Sequence, residues 1–117
     1  MLNSIRRVEK PWGYELIFAH TDRYVGKILH VNAGQALSLQ YHEVKDETLF
    51  MSEGEVELLV EENGGLVTRT LRGGESYHIK PFTRHRMIAG ENGCDIIEVS
   101  TPELDDVVRL EDRYGRT

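Results

Sequence analysis

The sequence lacks a second cysteine, an excess of positive charge and any long apolar run. It contains one cysteine, Cys94, so neither an intrachain disulfide nor a cysteine-rich zinc knuckle can form, and a reducing compartment is indicated. Its 14 basic against 20 acidic residues give a net charge of −6 at pH 7, which disfavours nucleic-acid binding. No apolar run approaches the roughly 18 residues of a membrane span, and charges replace a signal-peptide core near the start. We therefore expect a cytoplasmic protein with neither a nucleic-acid nor a membrane partner.

What the sequence does contain is a series of short apolar segments. Of its 117 residues, 39% are hydrophobic and 11 are glycine, and this length predicts a single domain over 1–117. Enrichment in Val, Ile, Leu, Tyr and Thr predicts strands at 27–31, 36–41, 48–52, 55–61, 66–71, 76–79, 85–88 and 95–101. About eight or more short strands favour an all-β sandwich or jelly roll.

Turn signals separate these segments. Glu53-Gly54, Asn63-Gly64-Gly65 and Asn92-Gly93 predict hairpin turns, because these residue types tolerate positive φ. Near the C-terminus, early acidic residues in 102–110 predict a short helical turn. The expected architecture is thus all-β with one helical turn at its end.

Four polar side chains are spaced as metal ligands. Gln40 and His42 are two residues apart, so they share one face of a strand, and Glu47 follows after a short turn that can bring it alongside. His85 follows a turn marked by Pro81 and is the natural fourth donor. An amide oxygen, two imidazoles and a carboxylate suit a divalent metal. The alternative is that these are ordinary strand histidines, hydrogen-bonded in the core or exposed.

These positions resemble the two motifs of the cupin superfamily. The first motif matches in spacing throughout, with Gln40 in place of the first histidine, at Gly34, Gln40, His42, Glu47 and Gly54. The second motif matches at Gly74 and His85. Lys80 and Phe82 replace its proline and glycine, and Ala89 replaces its late asparagine. The resemblance implies a cupin jelly-roll β-barrel.

A narrower resemblance runs along most of the chain. Segments 10–15, 37–42, 96–99 and 105–116 are similar to the cupin domain of type II mannose-6-phosphate isomerases, in which glutamine also replaces the first histidine. The departures are Lys45 for an arginine and Thr48-Leu49 for His-Trp. That cupin is often fused to a guanylyltransferase domain, which this sequence lacks, so no bifunctional enzyme is expected. The resemblance implies a divalent metal (Zn, Mn, Fe, Co or Ni) held by Gln40, His42, Glu47 and His85.

Isomerisation of a sugar phosphate would require further residues besides the metal ligands. An aldose–ketose isomerase needs a base near the carbon acid and an electrophile for the oxygen that gains negative charge. We consider Glu98 and His78 as alternative bases, since the sequence leaves open which face of the Glu98 strand is inside. A phosphate group requires cationic donors. The candidates are Lys27, Lys45, Lys80, Arg84, Arg86 and Arg116.

Two other functions compete with the isomerase. One is a non-catalytic, metal-containing cupin that binds or senses a sugar, because fold alone does not separate binding from turnover. The other is a metal-cupin oxygenase, which Gln40 mildly disfavours. A homodimer is also expected, because a small jelly roll has edge strands and the N-terminal segment presents Pro11, Trp12 and Tyr14.

Overall fold

The computed structural model describes residues 1–117 and consists of antiparallel strands without a helix. The nine strands are β1 (Arg6–Lys10), β2 (Gly13–His20), β3 (Val25–Val31), β4 (Leu39–Tyr41), β5 (Glu47–Glu62), β6 (Gly65–Arg72), β7 (Ser76–Ile79), β8 (His85–Ser100) and β9 (Val108–Glu111). The predicted all-β jelly roll is confirmed. No element has the length and apolarity of a helix that could cross a membrane.

Two 16-residue strands, β5 and β8, organise the barrel. The sequence predicted each of them as two strands, with turns at Glu53-Gly54 and Asn92-Gly93. Both turn predictions are wrong, because these residues lie inside β5 and β8, where the pairing register shifts. Gly54 and Gly93 have φ of +83° and +69°, and a Cβ on Gly54 would lie 2.9 Å from the Gly93 carbonyl oxygen. The glycines therefore allow the two paired strands to bend together.

The bend brings distant parts of the long strands to face each other. Along the β5–β8 ladder, Glu47 pairs with Ser100 at one end and Val60 pairs with His85 at the other. The side chains of Glu47 and His85 nevertheless meet at 3.3 Å in the interior. Curling of this sheet thus joins the two sequence segments that carry the predicted ligands.

The other predicted turns have different outcomes. Asn63 and Gly64 have φ of 53° and 83° and connect β5 to β6, which confirms that hairpin. The C-terminal helical turn is wrong: residues 102–107 form bends and turns, and β9 pairs with β4. The β-branched Val107-Val108 pair favours an extended chain, and β4 offers an edge that only β9 covers on that side.

The hydrophobic core contains fifteen residues. Its largest member is Trp12, which is 2% exposed. Trp12 therefore packs inside and does not contribute to the sticky N-terminal surface that the sequence suggested. The free Cys94 thiol is also in this core, where burial, and secondarily the charge of Asp95, raises its pKa to about 11.

Candidate metal centre

A polar cavity of about 160 Å³ lies on the inner face of the curled sheet. Strand alternation determines which residues reach it: Ser38, Gln40 and His42 line it from one segment, and Glu98 lines it from β8. Trp12 and Met87 contribute apolar surface. The cavity therefore combines buried charge with a hydrophobic wall.

Three of the four predicted metal ligands, His42, Glu47 and His85, meet in the interior, and His42 joins them to this cavity. The candidate ligand atoms of His42, Glu47 and His85 all lie within 4.8 Å of one another, and all three residues are buried. His42 Nε2 is 3.5 Å from Glu47 Oε2, and His85 Nε2 is 3.3 Å from Glu47 Oε1. The arrangement is two imidazoles converging on one carboxylate.

Backbone carbonyls orient both imidazoles. His42 Nδ1 is 2.6 Å from the Asp106 carbonyl oxygen, and His85 Nδ1 is 2.9 Å from that of Thr83. A carbonyl only accepts, so each Nδ1 carries the proton in the neutral ring and donates it. Each Nε2 is then left with a lone pair directed at Glu47, which is the tautomer required of a metal-binding histidine.

The facing atoms have no hydrogen-bond partners in the protein. His42 Nε2, His85 Nε2 and both carboxylate oxygens of Glu47 are buried and unpaired. Buried polar atoms are normally satisfied, because leaving one unpaired costs about 1–3 kcal/mol. Two imidazole nitrogens and a carboxylate that converge without hydrogen-bond partners fit a divalent metal ion.

Gln40, the fourth predicted ligand, lies beside this cluster. It pairs directly with His85 across β4 and β8 and lines the cavity with His42. Its side-chain oxygen accepts a hydrogen bond from the Ser38 hydroxyl at 3.0 Å. The Gln40 amide is therefore adjacent to the three converging groups, with its oxygen already engaged.

The turn at residues 80–83 contacts both histidines although it departs from the cupin motif. The Phe82 amide donates to the His42 carbonyl at 2.6 Å, and the Thr83 carbonyl accepts from His85 Nδ1. Phe82 has a φ of 63°, a left-handed conformation that glycine adopts more easily. The backbone shape thus matches the glycine of the motif despite the bulkier side chain.

A buried lysine connects the cluster to the predicted base Glu98. Lys45 Nζ lies 3.0 Å from Glu47 Oε2 and 2.9 Å from Glu98 Oε2, and all three side chains are almost fully buried. These are close charge contacts without hydrogen-bond alignment, because both acceptor oxygens lack a hydrogen-bond partner. Lys27 Nζ adds a second cation 3.8 Å from Glu98.

Their surroundings determine the ionisation of Glu47 and Lys45. Burial by itself would raise the pKa of Glu47, but the charge of the Lys45 ammonium, 3.0 Å away, outweighs it and holds that pKa below its usual range. Burial would lower the pKa of Lys45, but the Glu98 and Glu47 carboxylates outweigh it and raise that pKa. A carboxylate and an ammonium are therefore both charged inside the protein.

Of the two predicted bases, only Glu98 faces the cavity. Glu98 is 3% exposed and lines the cavity beside Lys45. His78 is half exposed, lies outside the cavity and contacts Asp46 at 2.6 Å. The neighbouring Tyr77 hydroxyl donates to Glu62 at 2.6 Å, also away from the cavity. β7 thus places His78 on the outer surface.

The predicted phosphate ligands are either paired or outside the cavity. Lys27 and Lys45 contact Glu15, Glu47 and Glu98 as described, and Arg116 binds the Asp112 carboxylate through two nitrogens. The remaining three candidates do not line the cavity: Lys80, Arg84 and Arg86. Sequence reasoning missed three cations that do line it, Arg6, Lys10 and Arg109. Val8 is the only apolar residue of Arg6–Lys10, so no periodic signal in the sequence marks the first two.

Relatives with curated descriptions match nearly the whole chain. "Mannose-1-phosphate guanylyltransferase ManC" of Salmonella typhimurium is 38% identical over 116 residues, which cover 95% of this chain and 23% of that protein. "Alginate biosynthesis protein AlgA" of Pseudomonas putida is 33% identical over 114 residues, covering 94% and 23%. The chain thus spans about a quarter of the length of these relatives.

Solved structures share the fold, and a family description covers the sequence. Oxalate decarboxylase from Bacillus subtilis has a TM-score of 0.80 at 15% identity, over 91% of this chain and 30% of that one. A Klebsiella pneumoniae protein with a double-stranded beta-helix domain has a TM-score of 0.70 at 21% identity, over 84% of each chain. The family described as mannose-6-phosphate isomerase C-terminal matches residues 2–112. This match confirms the resemblance inferred from the motifs, and the chain belongs to the mannose-6-phosphate isomerase C-terminal family.

Proposed function

We propose that this protein is a metal-dependent cupin that isomerises a sugar phosphate, with mannose 6-phosphate as its aldose substrate. The observation that carries the proposal is the convergence of unpaired His42, Glu47 and His85 atoms beside the buried Glu98–Lys45 pair. Relatives described as sugar-phosphate enzymes support the substrate class.

The metal would be held by His42, Glu47 and His85, with Gln40 as the neighbouring neutral donor. When bound, a divalent ion supplies Lewis acidity toward a substrate oxygen. The hydrogen bonds to the Asp106 and Thr83 carbonyls keep both imidazoles in the binding tautomer. Metal identity is left open by this donor set, which suits several divalent ions.

Glu98 would move the proton. Its carboxylate takes the proton from carbon 2 and returns it to carbon 1, while the proton of the carbon 2 hydroxyl passes to the carbon 1 oxygen. The Lys45 ammonium lies 2.9 Å from this carboxylate. Lys45 can also donate to the substrate oxygen on which negative charge develops. Base and proton donor thus lie together, and both side chains are almost fully buried.

The test is proton exchange in heavy water. Protein reconstituted with Zn²⁺ or Mn²⁺ is incubated with mannose 6-phosphate, and the sugar is followed by proton NMR. We expect fructose 6-phosphate to form with solvent deuterium at carbon 1, and recovered mannose 6-phosphate to carry deuterium at carbon 2 through the reverse reaction. Substrate binding without product or exchange for either metal would contradict the isomerase.

A non-catalytic sugar-binding or regulatory cupin is the second candidate. The observation in its favour is the Lys45 ammonium, which already neutralises the Glu47 carboxylate at 3.0 Å. Such a cation reduces the charge available for a metal and leaves the same cavity able to hold a polar ligand. Saturable sugar-phosphate binding without turnover would support this candidate.

A cytoplasmic homodimer completes the proposal. The outer sheet face exposes Phe50 and Val99, which are 42% and 52% accessible on neighbouring strands β5 and β8. Covering such apolar side chains would stabilise a two-fold pair. Light scattering should give about twice the 13.4 kDa chain mass. A mass of one chain at micromolar concentration would contradict it.

A further inference from the structure

The cavity has a cationic rim that is separate from its buried ligand cluster. Arg6, Val8 and Lys10 alternate along β1, and all three line the cavity, so one face of this edge strand points into it. Across the sheet, Arg6 pairs with Ile17, Ile17 pairs with Lys27, and Lys27 pairs with Glu98. Arg6 is therefore three strand spacings, roughly 14 Å along the sheet, from Glu98.

Arg109 approaches the same cavity from the opposite edge of the sheet. It lies on β9, pairs with Gln40 on β4, and Gln40 pairs with His85. Two strand spacings, roughly 10 Å, thus separate the backbones of Arg109 and His85. Arg109 Nε is buried without a hydrogen-bond partner, while Nη1 donates to the Thr117 carbonyl at 3.0 Å.

The curl of the sheet brings these two edges together. The strand path runs from β1 at one end to β9 at the other, yet both strands contribute cations to one cavity. A ligand there would contact cations from both edges of the sheet, and the same cavity wall includes His42 and Glu98. This geometry suits an elongated ligand whose charged group is remote from its reacting carbons.

The other three cations that line the cavity each lie close to a carboxylate. Lys27 is 3.3 Å from Glu15, Lys45 is 2.9 Å from Glu98, and Arg116 is 2.9 Å from Asp112. Three cavity-lining cations form no ion pair: Arg6, Lys10 and Arg109.

The carboxylates near the rim offset this charge only in part. Asp106 accepts the backbone amides of Glu43, Val44 and Lys45. Asp105 is exposed and unpaired. Asp106 keeps its negative charge, because backbone amides do not neutralise a carboxylate. Three unpaired cations against the two carboxylates Asp105 and Asp106 leave an excess of about one positive charge, which favours an anionic ligand.

We propose that Arg6, Lys10 and Arg109 form the subsite for the phosphate group of the substrate. The identity of the sugar end rests on the proposed function, whereas the phosphate subsite is carried by the unpaired cations. Guanidinium groups bind phosphate oxygens through charge-assisted, often bidentate hydrogen bonds. The subsite would select phosphorylated sugars over neutral ones and orient the carbonyl end toward the buried cluster.

Calorimetric binding distinguishes this subsite from the metal. Inorganic phosphate, mannose 6-phosphate and mannose are titrated into zinc-reconstituted and EDTA-treated protein, for wild type and for Arg6→Gln, Lys10→Gln and Arg109→Gln. Arg7→Gln is the matched control, because Arg7 lies on the outward face of β1, 2.6 Å from Glu9 and over the Tyr14 ring. Metal content and thermal melting of each variant confirm that the fold and the ligand cluster are retained.

We expect Arg6→Gln and Arg109→Gln each to weaken phosphate and mannose 6-phosphate binding by roughly 10-fold or more, with or without zinc, as for loss of a charge-assisted hydrogen bond. Arg7→Gln should bind as wild type. Unchanged binding in all three rim variants, or a wild type that prefers mannose to mannose 6-phosphate, would overturn the subsite. Deuterium exchange is measured separately. If the variants lose phosphate selectivity and the wild type shows no exchange, the result supports the subsite and contradicts the isomerase.

Discussion

In both halves of the barrel interior, alternate residues of the strands point inward. The inward residues are apolar in one half and polar or charged in the other. Along β5, the inward residues Leu49, Met51, Val56, Leu58 and Val60 are apolar and at most 1% exposed. The inward residue at the start of the same strand is Glu47, which is 2% exposed and charged. Strand geometry thus determines which positions are inside, and residue identity determines whether an inside position stabilises the fold or forms a site.

The difference has an energetic consequence. Apolar burial stabilises the fold by about 25 cal/mol per Å², whereas a buried charge costs several kcal/mol unless it is paired. Glu47 and Glu98 are paired with Lys45 at 3.0 and 2.9 Å, and the facing histidine nitrogens remain unpaired. The apolar half therefore supplies the stability that allows the polar half to keep unsatisfied groups for a ligand.

Glu98→Gln is expected to produce the largest effect, and it acts on the polar half alone. The amide preserves volume but does not accept the proton, so turnover should fall by about 10²–10⁴-fold while metal and substrate still bind. His78→Gln is the matched control, since His78 lies outside the cavity and should keep nearly wild-type turnover. Less than a tenfold loss in Glu98→Gln would show that the base is elsewhere.

Leu58→Ala tests the apolar half in the same way. Leu58 is fully buried, and its truncation should lower the free energy of unfolding by about 2–5 kcal/mol, through lost transfer energy and a residual cavity. Chemical denaturation measures this loss. Metal stoichiometry at a temperature where the variant is folded should be unchanged. Loss of metal from folded Leu58→Ala would contradict the separation of the two halves.

Lowering the pH should reduce the stability of the fold by a smaller amount, through the C-terminal segment that borders the cavity. Hydrogen bonds from Arg116 lower the pKa of Asp112 from 3.8 to about 2 against an opposing effect of burial. A lowered folded-state pKa contributes stability that is present above pH 3.8 and is lost as pH falls toward about 2. Thermal melting of wild type should decline through this range, and Asp112→Asn should flatten the decline. An exposed-loop control, Asp22→Asn, should leave it unchanged.

Much of the candidate site could be predicted from local spacing. Gln40 and His42 share a face because strands alternate, and the short 43–46 connection returns the chain so that Glu47 lies alongside. The structure brings His42, Glu47 and His85 together and places Gln40 next to them. Their role as ligands remains a prediction.

The parts that were missed depend on long-range pairing. β1 carries Val8 as its only apolar residue, so its strand signal is weak until β2 pairs with it. Without β1 and β9 in place, the unpaired cations on their inner faces could not be assigned to the cavity. Glu53-Gly54 and Asn92-Gly93 were misread because turns and bends both need positive φ, and only the register of β5 and β8 separates the two.

The most direct test of the account is the metal content of single histidine variants after reconstitution and gel filtration. Wild type should retain close to one divalent ion per chain, and so should the control His30→Ala, which removes a histidine outside the cavity. His42→Ala and His85→Ala should each lose the ion, and Gln40→Ala should weaken binding less, because a neutral amide oxygen is the poorest donor. Equal metal stoichiometry in wild type, His42→Ala and His85→Ala, measured by elemental analysis, would show that these histidines do not hold a metal ion.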